Sequence, residues 1–138
     1  MNGNKRVIEI DLLQDSFFQT IENILVLNIC IANLTNQVLR DLHFSTTQGT
    51  LLPNYSAMFI SSDDSFVGMT LSREYNSISH SFVLEANDRI DGYVIVEFTN
   101  PPIDFKLNIC DKSDAVIGDF EVDLQRVNRI SYNADNNV

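Results

Sequence analysis

The chain has 138 residues, 44 % hydrophobic and 20 % charged, with 19 acidic against 9 basic side chains and a formal net charge of −10 at pH 7. That length carries one domain with a core large enough to stand without disulfide staples. The charge repels phosphate backbones and anionic membrane surfaces, which argues against nucleic-acid binding, and a mean hydropathy of −0.03 argues against membrane insertion. Because the carboxylates are spread along the chain with no dense block, they read as a solvated face and not as a mimic of DNA.

Taken in order, Met1 to Val7 carries Lys5 and Arg6, but Glu9, Asp11, Gln14 and Asp15 interrupt the apolar residues beyond it, so no export signal is legible. The expected location is cytoplasmic, with an assembled surface or virion as the alternative. Val7 to Leu13 alternates as a first strand, with Ile8, Ile10 and Leu12 inward and Glu9 and Asp11 outward, and Phe17-Phe18 begins a short strand-like piece. Ile21 to Ala32 is the longest apolar run. Leu25, Leu27, Ile29 and Ile31 share one face and Ile24, Val26, Asn28 and Cys30 the other. Its β-branched content and the turn at Asn33 to Asn36 favour a central strand over a helix.

Val38 to Ser45 is expected to pair back, with Leu42 and Phe44 inward and Asp41 and His43 outward. Thr46 to Asn54 reads as a loop, Tyr55 to Ile60 as a strand, Ser61 to Ser65 as a turn, Phe66 to Leu71 as a strand and Ser72 to Ser77 as a connection.

The clearest pattern lies in 82–110. Ile78 to Leu84 forms a strand closed by the polar corner Glu85 to Arg89. In Gly92 to Phe98, Val94, Val96 and Phe98 share one face opposite Tyr93, Ile95 and Glu97. In Ile103 to Cys110, Phe105, Leu107 and Ile109 are apolar while Asp104, Lys106, Asn108 and Cys110 point away. Pro101 and Pro102 fix φ and remove amide donors between the last two, so the chain turns there. Three antiparallel neighbours with one apolar face need a second layer. Beyond the turn Asp111 to Asp114, Val116, Phe120, Val122 and Leu124 are inward and Asp119, Glu121 and Asp123 outward. The expected fold is an all-β, antiparallel β-sandwich, immunoglobulin-like or jelly-roll-like, of about 8–9 short strands over residues 1–125, with a polar, Asn-rich tail over 126–138 that frays or forms an arm.

The succession of Leu84, Asn87, Gly92, Phe98, Pro101 and Leu107, roughly a third of the chain, resembles immunoglobulin-like β-sandwich domains of unknown function found in lipoproteins and secreted proteins of Gram-positive bacteria. The resemblance implies a fold and no activity. Those domains usually begin with a lipoprotein or secretory signal, and none is legible in these residues.

No catalytic constellation emerges, and the expectation is a chain that is not an enzyme. There are two histidines; His43 shares a face with Asp41, His80 alternates with core residues, and no Gly-rich elbow surrounds any serine. Cys30 and Cys110 are too few and too distant from the histidines for a zinc site. They recur in the tetrapeptides Leu27-Asn28-Ile29-Cys30 and Leu107-Asn108-Ile109-Cys110, which read as convergence of two strands, and they are expected to be free thiols facing away from the core. If consecutive strands run up and down, four loops meet at one end, where Asp63, Asp64, Asp88, Asp111 and Asp114 offer the oxygen ligands that calcium prefers. Turn chemistry accounts for the same residues without a metal. Asn33-Leu34-Thr35 and Asn54-Tyr55-Ser56 fit the glycosylation pattern.

Two functions fit these features. The first is a non-enzymatic module binding another protein through end loops or a sheet edge. The second is a self-assembling structural subunit of a fibre, coat or virion surface, in which Val7 to Leu13 or the tail completes a neighbour's sheet. A calcium-dependent ligand-binding domain is a third, for which the absence of Trp removes the usual sugar-stacking platform.

Overall fold

Runs that alternate apolar and polar residues become strands throughout, and the computed structural model, which describes residues 6–60, 70–78 and 81–130, contains no helix among them. The described residues therefore include no helix long and apolar enough to cross a membrane. The described residues form twelve strands: β1 (Ile8–Leu12), β2 (Phe17–Gln19), β3 (Ile24–Asn33), β4 (Leu39–Ser45), β5 (Thr50–Leu52), β6 (Asn54–Ile60), β7 (Thr70–Asn76), β8 (Phe82–Leu84), β9 (Arg89–Glu97), β10 (Asp104–Cys110), β11 (Val116–Asp123) and β12 (Asn128–Ile130).

Two sheets face each other. One runs β12-β2-β3-β9-β5, with β1 also on β3; the other runs β11-β10-β4-β8; β6 and β7 form a separate pair. The sheets β12-β2-β3-β9-β5 and β11-β10-β4-β8 make an all-β sandwich, with β5 and β8, on either side of the β6–β7 pair in the chain, at edges of different sheets. β1 and β2 occupy successive lengths of the same edge of β3. Between them Ser16 replaces a rung of the ladder. Its hydroxyl accepts from the Asn28 N–H at 2.8 Å and donates to the Leu13 oxygen at 2.9 Å.

The expected central strand is β3. Leu25, Leu27, Ile29 and Ile31 are fully buried between the sheets, against Val94, Val96 and Phe98 from the β9 side and Phe105, Leu107 and Ile109 of β10. Its second face is apolar for a separate reason. Ile24 and Val26, with Ile95, pack under Phe17, Tyr55 and Tyr75, so the foot of the β6–β7 pair covers that face.

Several expectations are corrected. The three segments of 78–110 are not neighbours: β8 pairs with β4, β9 with β3 and β5, and β10 with β4 and β11. Thr99 to Pro102 is thus a crossing between sheets, the connection that two consecutive prolines favour over a hairpin ladder. β4 likewise lies in the sheet opposite β3 and does not pair back on it. The loop Thr46 to Asn54 contains β5, and the connection Ser72 to Ser77 is largely β7. The turn Ser61 to Ser65, most of the strand Phe66 to Leu71, and His80 lie outside the described residues.

Alternation also fails where a bulge resets it. Cys110 is opposite Val116 and Ile109 opposite Gly118, leaving Ile117 as the extra residue. Ile117 therefore packs on the core, and Val116, expected inward, is 54 % exposed. At the polar end, Asn128–Ile130 runs parallel to β2 as an outer strand, and Val127 is buried in the core. Residues 131–138 of the expected tail lie outside the described part.

Candidate functional site

The strand registers fix what lies at each end of the sandwich. Leu39 is opposite Leu84, Cys110 opposite His43, and Ala32 opposite Arg89. β3, β8 and β10 therefore finish, and β4, β9 and β11 begin, at one end, which gathers the loops 34–38, 85–88 and 111–115 there. Of the carboxylates considered for calcium, Asp88, Asp111 and Asp114 are in these loops; Asp63 and Asp64 lie outside the described residues.

Each of the three is engaged by its own surroundings. Asp88 Oδ1 accepts the Arg89 N–H at 2.8 Å. Asp111 Oδ1 accepts from the Ser113 and Ala115 amides at 2.9 and 3.1 Å, and the Asp114 N–H donates to the Asp111 carbonyl, which closes the turn with Asp114 at φ 65°. Asp114 Oδ1 lies 2.9 Å from Nε2 of His43. The partner of His43 is thus Asp114 and not Asp41, which sits at φ 55° in the bulge between Leu39 and Leu42. Among the described residues, no three His, Cys, Asp or Glu side chains converge as a metal-holding group.

Cys110, His43 and Asp114 share the residue types of a nucleophile, its base and an orienting acid, but the thiol is tuned the wrong way. Burial raises its pKa, and the negative charges of Asp114 and Asp111 raise it further, whereas an activated cysteine needs its thiolate favoured. Cys30 is also raised, first by burial and then by Asp91. Both thiols are free and buried. They lie on β3 and β10, in different sheets.

The most constructed part of this end is the joint between loops 34–38 and 85–88. Asn33 is 3 % exposed. Its Nδ2 donates to the carbonyls of Gln37, Leu84 and Glu85 at 2.8, 3.2 and 3.0 Å, and its Oδ1 accepts from the Thr35 N–H and hydroxyl at 2.9 and 2.8 Å. Its own N–H donates to the Asp88 carbonyl at 2.8 Å. Asn87, at φ 58°, completes the joint: its N–H donates to Thr35 O at 3.0 Å and its Nδ2 to Asn36 Oδ1 at 2.9 Å. Around this fixed pair of loops, Leu34 and Val38 stand 45 % and 39 % exposed, and Glu85 and Asp88 are exposed beside them.

Neither Leu34 nor Val38 stood out in the sequence, because a lone apolar residue in a polar loop has no periodicity to betray it. A legible signal did exist in Asn33-x-Thr35. Read as a side chain that folds back on the amide two residues later, it marks a rigid turn. As a glycosylation site it is closed, since the nitrogen that would carry the sugar is buried and makes three hydrogen bonds.

A second polar and aromatic group lies on the outer face of the larger sheet. Tyr75 meets Phe17 and Tyr93 edge-on at 5.4 and 5.0 Å between centroids, and Arg73 sits 6.0 Å over its ring. The Tyr55 hydroxyl donates to Glu22 at 2.9 Å, and Tyr93 to Asp15 at 3.3 Å. Burial foremost, then the adjoining carboxylates, raise the pKa of both phenols; the Tyr55 hydroxyl ties β6 to Glu22, and the Tyr93 hydroxyl ties β9 to Asp15. No protein-family model and no curated protein matches the chain.

Proposed function

We propose that the chain is a non-enzymatic interaction module that binds another protein through the fused loops 34–38 and 85–88. The observation that carries this reading is the hydrogen-bonded joint built on Asn33 and Asn87, which holds two exposed apolar side chains, Leu34 and Val38, on a loop surface that cannot rearrange cheaply. Loops held rigid before contact lose little entropy on binding, so a small apolar centre suffices to anchor a partner. Exposed Glu85 and Asp88, with Asp111 and Asp114 at the same end, supply an acidic rim. The partner this fits presents an apolar pocket bordered by basic side chains.

The test compares three forms of the protein: wild type, the double substitution Leu34→Asp with Val38→Asp, and Ile103→Asp, which changes a residue 64 % exposed at the other end. Each is immobilised and exposed to extract from the source cells, and the retained proteins are quantified by mass spectrometry. A protein retained by wild type and Ile103→Asp, and lost with the loop variant at unchanged Tm, supports the reading. Equal retention by all three removes it. Light scattering over a dilution series reads the structural alternative directly: a defined oligomer that survives the loop changes makes the protein a self-assembling subunit.

A further inference from the structure

Away from the end loops, a pocket opens at the β5 edge of the larger sheet. A cavity of ≈ 480 Å³ lies where β5 ends and the chain returns at Ser77–Ile78. Phe44 of one sheet and Val94 of the other line it together with Leu51, Leu52 and Pro53. It is partly open to solvent, and its volume falls in the range of small-molecule sites.

We propose that this cavity binds a small neutral molecule with an aliphatic or aromatic body and one hydroxyl group, of the class of the medium-chain alcohols. Among the described residues lining it, none is charged, and the net charge of −10 disfavours anions throughout the molecule. Ser77 is the one polar side chain in that lining. Its hydroxyl donates to the Leu52 carbonyl at 2.6 Å, and its amide donates to the Pro53 carbonyl at 2.9 Å. With the proton of the hydroxyl committed, Oγ retains only acceptor capacity, so it recognises a ligand that donates.

The walls are fixed without a ligand. Ile78 is seated over Gly92 so closely that a Cβ there would lie 2.4 Å from Ile78 Cγ1, and Phe44 stacks on Phe82 at 5.1 Å. A preformed, mostly apolar pocket gives an apolar body burial without the cost of ordering its walls.

The experiment uses the full chain, with 1-octanol and octanoate as probes, followed by calorimetry and by methyl chemical shifts. Saturable 1-octanol binding that shifts the methyls of Leu51, Ile78 and Val94, with octanoate weaker by about tenfold or more, is the expected result. Leu51→Trp fills the cavity and abolishes binding. As the chain has no Trp, blue-shifted emission from the introduced indole shows that the ring has entered. Ser77→Ala leaves the volume and weakens 1-octanol by up to about tenfold, which keeps the test open should the larger substitution fail to fold. No saturable binding, shifts confined to other methyls, or unchanged affinity in a folded Leu51→Trp protein each overturns the site; unchanged affinity in Ser77→Ala overturns the hydroxyl recognition.

Discussion

The side-chain amide of Asn33, at the end of β3, donates to the main-chain oxygen of Leu84, at the end of β8 in the opposite sheet, 51 residues away and 3.2 Å distant. Because the same nitrogen also reaches Gln37 and Glu85, one side chain joins the two sheets and both loops. Asn33→Asp keeps the size and the acceptor toward Thr35 but turns a carboxylate oxygen toward three carbonyls. A loss of about 2–4 kcal/mol is expected, as for a buried polar network broken at its centre. Thr35→Ala removes only a peripheral member and costs about 1 kcal/mol. Urea unfolding checks both through the midpoint at constant m value; an Asn33→Asp protein as stable as wild type would remove the joint as the basis of loop rigidity.

The two glycosylation patterns differ for the same reason. Asn33 is buried with its nitrogen bonded, whereas Asn54, at the start of β6, is exposed. Folded protein secreted from a eukaryotic host is therefore expected to carry a glycan on Asn54 alone. Peptide mapping by mass spectrometry reads this, and a glycan on Asn33 in folded material contradicts the structure.

On the flank where β1 meets β11, Gly118 and Ile8 share one space. A Cβ at position 118 would lie 2.4 Å from Ile8 Cδ1, and Ile8 is 3 % exposed. Gly118→Ala alone is expected to destabilise by about 1–3 kcal/mol through overpacking, and Ile8→Ala by about 2–4 kcal/mol through a cavity. Combined, the two should cost clearly less than their sum, since the new methyl enters the vacated space. Strict additivity in a double-mutant cycle would mean that β1 does not rest on β11. The same contact bears on self-assembly: β1 is seated in its own core, so deleting it is expected to unfold the chain instead of freeing a monomer.

Where periodicity was the signal, the sequence was legible. The inner faces of β3, β9 and β10 follow from alternation, because a strand's side chains have no other choice, and the many short strands pointed to the sandwich, although the neighbour relation assumed for the three segments of 78–110 did not hold. Strand partners were not legible. Alternation says which face of β8 is apolar, but not that β4 is its neighbour, since sheet order is set by crossings such as Thr99 to Pro102 that leave no periodic trace. Val116 was misassigned because a bulge adds a single residue, which resets the alternation without leaving a periodic trace. For the candidate site, counting connections places Asp88, Asp111 and Asp114 at one end, where the registers also put them, whereas the role of Asn33 depends on carbonyls 51 and 52 residues away. A hydrogen bond to a main-chain oxygen carries no residue identity, so the sequence holds no mark of it.

Stability should fall at alkaline pH, through the thiols first. Burial and neighbouring acids raise the pKa of Cys30 and Cys110 above the ordinary value of 9.0, and the same two influences raise Tyr55 and Tyr93 above 10.0. A raised pKa means that the folded chain keeps a proton where the unfolded chain releases it. Below pH 9 both states are protonated and stability is undiminished; as the pH rises above 9 the unfolded state gains by ionising its thiols, and above 10 by ionising its phenols. Replacing both cysteines by alanine should flatten the decline between pH 9 and 10, and Tyr55→Phe should flatten it above 10. Urea unfolding at intervals from pH 7 to 11 separates the two windows, and iodoacetamide should alkylate either thiol no faster than the chain opens. A wild-type protein whose stability is level across that range, or whose thiols react at the rate of a free cysteine, would place those side chains in solvent and contradict their burial here.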